Sequence, residues 1–387
     1  MNAVLLVNHP AFLLERLGGM SVLERQAFLL SRAGFKRLWI AAHRPDGARL
    51  PALRWPEGLD CVWSSESSPA ETPYAAVSAD HLIRLDALRE IASTPHEKAT
   101  AYLDPAGRSV VQVVPRAQER SSPMERRALP EGSSVLLRTP LEREVLPWLL
   151  REAVKPHDSF MARHFDRRIS LALTRRLLDT RITANQMTVF SILVGLAGAF
   201  LTAGGRAAMT AGVLLVWAHT VLDGCDGELA RLRYEQSRVG GILDFWGDNV
   251  GHAALFLSLG IGVARRGLPV IHLLLGLCAA AGALGAAWSV YRHSSLRCTR
   301  HGPLFNGLED LAPKSASAAV RNLAVVEDIL ARRDFVYLLV FLVLLGYPEI
   351  FLWAAGVGTP MFLAALLYLR RFEEQSRIPA VLRRQSP

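Results

Sequence analysis

The sequence predicts a chain of two parts: an N-terminal soluble α/β domain on a Rossmann-type parallel sheet, then an all-α membrane domain of six helices. Three observations lead there. Up to about residue 150, short β-branched runs alternate with helix-like apolar periods. Beyond about residue 185, long uncharged runs take over, several near the roughly 20 residues that cross a bilayer. Four aspartates are embedded in those runs. A carboxylate at membrane depth costs roughly 2.5–3.5 kcal/mol on insertion scales, so the group calls for a compensating function. The 387 residues divide into an α/β domain (1–150), an amphipathic juxtamembrane helix (151–185), the membrane domain (186–372) and a tail (373–387).

In the first part, Val4 to Val7, Leu38 to Ala41, Cys61 to Trp63, Tyr74 to Val77, Val110 to Val114 and Val135 to Leu137 read as strands. Ser21 to Ala33 reads as a helix, with Ser21 as N-cap and Glu24 three residues on, the capping-box pattern. The start, MNAVLLVNHPAFLLERL, lacks a basic n-region and a cleavage site, so no signal peptide is expected. Cys61, Cys225, Cys278 and Cys298 show no paired spacing, which argues against a zinc site or a disulfide framework.

From Lys155 to Thr188, arginines interleave with apolar residues in the manner of an amphipathic helix lying on a membrane. The six apolar runs are Met187 to Ala203, Ala207 to Leu222, Ile242 to Gly262, Leu268 to Val290, Phe335 to Tyr347 and Ile350 to Leu369. The fifth has only 13 residues before Pro348, so it borrows from the segment ahead of it or crosses a thinned bilayer. Arginines crowd the turns at Arg231 to Arg238 and Arg292 to Arg333 and follow the last run, which puts both ends and the aspartates on the cytoplasmic side, in a bacterial inner membrane. A net charge of +9 concentrated beside membrane segments fits anionic headgroups, not nucleic acid.

The aspartates obey the spacing D-x2-D-G-x2-A-R-x8-G-x3-D-x3-D, from Asp223 to Asp248. On a helix, Asp223 and Asp226 share one face; Gly240, Asp244 and Asp248 share a face of the next, and a turn around Gln236 would bring four carboxylates together. Such a group cannot persist in low dielectric without protons or divalent cations. Hard oxygen donors favour Mg²⁺, with Mn²⁺ or Ca²⁺ as alternatives. Gly227, Ala230 and Gly240 leave room beside the helix backbone, and Arg231 supplies a cation suited to phosphate. His219 and His252, one turn from Asp223 and Asp248, read as ordinary buried polar residues, with hydrogen bonding to the carboxylates as the alternative.

At all eight fixed positions the segment resembles the CDP-alcohol phosphotransferase family, over roughly residues 155 to 370. The resemblance implies six transmembrane helices, a homodimer and a cytoplasmic site for two metal ions, where an alcohol attacks the β-phosphorus of a CDP-linked donor and CMP leaves. It implies metal ligation by Asp223, Asp226, Asp244 and Asp248, with Asp248 as the base. It further implies CDP binding by Asp223, Gly227, Ala230, Arg231 and Gly240, and by Asn185 and Thr188, which look like the family's PNxxT segment with Ala184 in place of proline. Lys155, Arg163 and Arg168 are candidates for the phosphate of an acceptor.

The stretch from Gly18 resembles the first helix and second strand of sugar-phosphate nucleotidyltransferases, and Ala79-Asp80-His81 their metal-aspartate segment. Those enzymes cradle nucleotide phosphates in a glycine-rich loop. Here that place reads Asn8-His9-Pro10-Ala11-Phe12, so a degenerate, non-catalytic domain is expected and Asp80 and His81 are expected to serve a loop or cap. The pairing of domains resembles bifunctional inositol-1-phosphate cytidylyltransferase/di-inositol-phosphate-phosphate synthases. An inositol-phosphate-like or other polyol is the leading acceptor. The alternatives are a phospholipid synthase of the phosphatidylglycerophosphate or phosphatidylinositol-phosphate kind using CDP-diacylglycerol and, from another class, a divalent-cation transporter. Transporters commonly carry inverted repeats, and no second acidic segment matches the first.

Overall fold

The computed structural model describes the chain apart from residues 9–12, 43–52, 65–71, 117–122, 139–140, 155–159, 268–269, 296–333 and 378–387. The expectations for His9 to Phe12, Lys155, Cys298, the basic residues from Arg297 to Arg333 and the end of the tail fall outside the described residues. The chain divides into two compact units.

The first unit holds β1 (Asn2–Leu6), β2 (Arg16–Leu17), β3 (Met20–Ser21), α1 (Val22–Ala33), β4 (Arg37–Ala41), β5 (Asp60–Ser64), β6 (Tyr74–Ser78), β7 (His81–Ile83), α2 (Leu85–Ser93), β8 (Thr100–Leu103), β9 (Ser109–Val114), β10 (Glu125–Ala128), β11 (Ser134–Leu136) and α3 (Leu141–Glu152). Seven strands form one sheet in the order β10-β8-β9-β6-β1-β4-β5. β1 runs parallel to both neighbours, with Ala3 beside Leu38 and Ala75. The sheet is mixed, not wholly parallel: four of its six pairings are parallel, and β9 runs antiparallel to β6 and β8. Val135 lies outside it, in β11, which pairs antiparallel with β7. Antiparallel partners need only short connections, and the Asp104–Arg108 turn supplies one between β8 and β9, with Gly107 at φ 78°.

The start of α1 follows from its residues. The Ser21 hydroxyl accepts from the Glu24 N–H at 3.2 Å, and the Glu24 carboxylate accepts from the Ser21 N–H at 2.7 Å. Gly34 ends the helix in the left-handed region at φ 101°. Leu23, Ala27 and Leu30 of α1 pack with Leu5, Leu38, Ile40, Val77 and Leu88 in the unit's core. The tripeptides Leu178–Thr180 and Leu232–Tyr234 also belong to this unit. Arg25, buried on α1, donates to Leu17 O and Leu232 O, each at 2.8 Å. Tyr234 stacks on Phe28 with ring centres 5.4 Å apart, and Arg233 donates to Leu178 O at 2.6 Å.

The second unit holds a π-helical turn (Ala162–Asp166), α4 (Arg167–Leu177), α5 (Ala184–Leu201), α6 (Arg206–Leu232, its last residue counted with the first unit), α7 (Arg238–Ala264), α8 (Ile271–Ser295), α9 (Phe335–Leu345) and α10 (Pro348–Arg377). The expected single amphipathic helix through Thr188 is broken. A second capping box, Thr183 with Gln186, starts a new helix at Ala184. The Ala184 N–H donates to the Glu235 carboxylate at 3.2 Å, a bond that proline could not make. Among the described residues, four helices, α5, α6, α8 and α10, are long and apolar enough to cross a membrane, and they mark the chain as an integral membrane protein. The expected six crossings thus find four by this measure. α9 has only 11 residues, and the 27-residue α7, with Arg238, Asp244 and Asp248 in its first half, is not among the four. Where α5 and α6 meet, Gly198 and Gly212 allow backbone contact: a Cβ on Gly198 would stand 2.7 Å from Gly212 O.

Candidate active site

α6 and α7 are joined by a turn through Arg233–Gln236, and Ser237 caps α7 by accepting from the Gly240 N–H at 3.0 Å. That sharp reversal returns the chain along itself and brings Asp244 to Asp223 and Asp226. One carboxylate oxygen from each of these three lies within 4.8 Å of the other two. Asp226 is buried; Asp223 and Asp244 are partly exposed. Two like charges at that separation repel by about 3–4 kcal/mol at an effective dielectric near 20. The donors are all hard oxygens, at a spacing that one small divalent cation can bridge, so the trio fits Mg²⁺ or Mn²⁺.

Asp248 is not in that trio. It lies one helical turn beyond Asp244, about 6 Å along the axis, and is itself buried. Its Oδ1 stands 3.4 Å from His219 Nε2, while His219 Nδ1 faces Ser191 O at 2.8 Å. The structure thus sets His219 against a site carboxylate, the alternative reading of this histidine. Gly195 makes room for its ring, since a Cβ there would come within 2.8 Å of His219 Cγ. His252 lies edge-on to Phe335, ring centres 5.1 Å apart.

The other expected residues divide. A Cβ on Gly240 would stand 2.5 Å from Asn185 Oδ1, so this glycine brings the exposed Asn185 amide against the start of α7. The Arg231 guanidinium lies over Gly227, where a Cβ would meet it at 3.1 Å. Ala230 is partly buried on the same helix. Thr188 is buried and its hydroxyl donates to Ala184 O at 3.1 Å. Arg163 and Arg168 are exposed. The arginine between them, Arg167, is the one that turns inward: its Nη1 lies 2.7 Å from Glu228 Oε1. Sequence reasoning missed this pair. An extra carboxylate in the motif helix and the polar stripe Arg167, Ser170, Thr174 were the available signals.

In the first unit, Asp80 occupies the turn between β6 and β7 and accepts from Asn8 Nδ2 at 2.6 Å. His81 is buried, with Nε2 3.5 Å from Asp104 Oδ2.

With this geometry in place, the likeness to known proteins is specific. Residues 181–361 match the model of the CDP-alcohol phosphatidyltransferase family. That stretch, just under half of the chain, resembles members of the family. A bifunctional IPC transferase and DIPP synthase of Thermococcus kodakarensis is 33% identical over 151 residues, 39% of this chain and 33% of that protein. Its counterpart from Rubrobacter xylanophilus is 38% identical over 125 residues, 32% of this chain and 27% of that protein. A phosphatidylinositol phosphate synthase of Mycobacterium tuberculosis is 32% identical over 100 residues, 26% of this chain and 46% of that protein. The matches thus span a third or less of these bifunctional relatives and about half of the synthase. The crystal structure of a Mycobacterium tuberculosis phosphatidylinositol phosphate synthase with CDP-DAG bound aligns at 19% identity over 52% of this chain and 94% of that one, with a TM-score of 0.37.

Proposed function

We propose that this chain is a membrane CDP-alcohol phosphotransferase, transferring a phosphoalcohol or phosphatidyl group from a CDP-linked donor to a polyol of the inositol-phosphate kind. The observation that carries the proposal is the convergence of Asp223, Asp226 and Asp244 within a segment matching the family. Those three, with Asp248, would hold two divalent ions, Mg²⁺ or Mn²⁺. When bound, such ions neutralise charge on the phosphates and stabilise the attacking and leaving oxygens.

The remaining work belongs to the protein's own residues. Arg231 binds a donor phosphate, and Asn185 with Gly240 and Gly227 receives the cytidine end. Asp248 takes the proton of the acceptor hydroxyl as its oxygen bonds to the β-phosphorus. The bond from that phosphorus to the bridging oxygen breaks, and CMP leaves with the electron pair. His219 fixes the orientation of Asp248 from behind. The family resemblance supports a homodimer, and the arginine distribution supports a cytoplasmic site.

The test is CMP release by the purified full chain with Mg²⁺, given CDP-diacylglycerol or CDP-inositol and a panel of polyols, with the product identified by mass spectrometry. Asp248→Asn should slow release by about 10²–10⁴-fold, the usual contribution of a general base. Undiminished turnover in that variant would remove the base assignment. CDP-diacylglycerol is the second donor reading, and a lipid product would select it.

A further inference from the structure

We infer that Glu228 and Arg167 are positioning residues: through them the juxtamembrane helix α4 sets the rotation of α6, and hence where Asp223 and Asp226 stand relative to Asp244. The inference rests on the proposed reading of the acidic site. α6 has two working faces around its axis. Asp223, Asp226, Gly227 and Ala230 follow one another at helical spacing on the first, and Val221, Gly224, Cys225 and Glu228 repeat the same spacing on the other.

That second face is occupied by α4. Glu228 is fully buried, and both carboxylate oxygens are engaged by three residues of α4. Oε1 accepts from Arg167 Nη1 at 2.7 Å and from Ser170 Oγ at 2.6 Å; Oε2 accepts from Thr174 Oγ1 at 2.7 Å. Arg167, Ser170 and Thr174 are spaced to share one face of α4. The helices approach closely enough that a Cβ on Gly224 would stand 3.0 Å from Arg167 Nη1 and 3.3 Å from Ser170 Cβ.

A buried ion pair is a poor source of stability, because desolvation offsets its attraction, and its best-attested use is to fix register. Here the register matters. Sliding α6 by one residue turns each of its side chains by about 100°, which would carry Asp226 away from Asp244. Three directional bonds to one carboxylate oppose that rotation in a way that an apolar contact would not. Partners one layer behind metal ligands typically change affinity by about 10–100-fold when removed.

The experiment uses the full chain in lipid nanodiscs and reads Mn²⁺ binding by electron paramagnetic resonance in the absence of donor. The double variant Arg167→Met/Glu228→Leu removes both charges together, the change that buried pairs tolerate best. It should keep its helical content and bind Mn²⁺ about 10–100-fold more weakly, with KM for the donor raised more than kcat is lowered. Wild-type Mn²⁺ affinity in the folded variant overturns the inference. Ser170→Ala and Thr174→Val keep the ion pair and guard against misfolding of the double variant. Each should weaken Mn²⁺ binding several-fold, and unchanged binding in both would equally overturn it. A wild-type chain that binds Mn²⁺ but releases no CMP from any donor would sink the proposed activity and leave this metal titration readable.

Discussion

Asp104 in the sheet unit and Asp226 in the helical unit are nearly equally buried, at 6% and 5% exposure, yet the two regions treat them in opposite ways. Asp104 is satisfied by its own turn. Its Oδ1 accepts the backbone N–H groups of Ala106 and Arg108, and its Oδ2 accepts from Arg108 Nε at 2.7 Å. Burial alone would raise its pKa, but the Arg108 side chain and backbone bonds outweigh it and hold the carboxyl below its ordinary range. Asp226 instead sits with Asp223 and Asp244, one carboxylate oxygen of each within 4.8 Å of the other two. A carboxylate that its own loop neutralises is architecture; carboxylates gathered together mark a place for an imported cation. Glu228, two residues from Asp226, follows the Asp104 pattern on the other side of the same helix.

The largest expected effect separates the two treatments. Asp226→Asn should abolish Mn²⁺ binding and lower CMP release by about a thousand-fold or more, while Asp104→Asn should leave both intact and loosen the β8–β9 turn by about 1–3 kcal/mol, read as faster amide exchange there. Loss of turnover in a folded Asp104→Asn chain would break the comparison. Next in size is the donor pocket. Gly240→Ala forces a methyl against Asn185 Oδ1, and KM for the CDP donor should rise about tenfold. In a double-mutant cycle with Asn185→Ala the two effects should fail to add, because the residues touch.

The smallest effect is a pH dependence confined to the sheet unit. Burial lowers the pKa of His81, partly countered by its contact with Asp104. A histidine lowered in the folded state contributes stability that is fully present above its ordinary value of about 6.5 and is lost as pH falls below it. Asp104, also lowered, acts in the same sense at more acid pH. Amide protection in β6 and β7 should therefore weaken between about pH 7 and pH 5, and His81→Phe should flatten that slope. An unchanged slope would show that other groups carry it.

Local features of this fold were legible in the sequence. Ser21 with Glu24 announced α1, and Asp223 with Asp226 announced a two-carboxylate face, because each signal spans a single helical turn. Long-range choices were not. Nothing in β6 says that its neighbours will be β1 on one side and an antiparallel β9 on the other. The break between α4 and α5 depends on Thr183 and Gln186, a capping pair hidden within an amphipathic pattern that continues across it. Asp248 shares a face with Asp244 by its four-residue spacing, but its contact with His219 joins two different helices, and no local pattern reports it. The Arg167–Glu228 pair joins residues 61 positions apart, and no periodicity reports it.

Arg25 bears on how the sheet unit is made as the ribosome delivers the chain. One of its partners, Leu232 O, lies 207 residues downstream. At roughly 5–20 residues per second, that partner emerges about 10–40 s after Arg25 has left the ribosome. Until then a guanidinium destined for full burial lacks this carbonyl, and the ring of Phe28 lacks Tyr234. The sheet unit, though synthesised ahead of the helical one, therefore closes only once the first two apolar helices and the turn that follows them have been made.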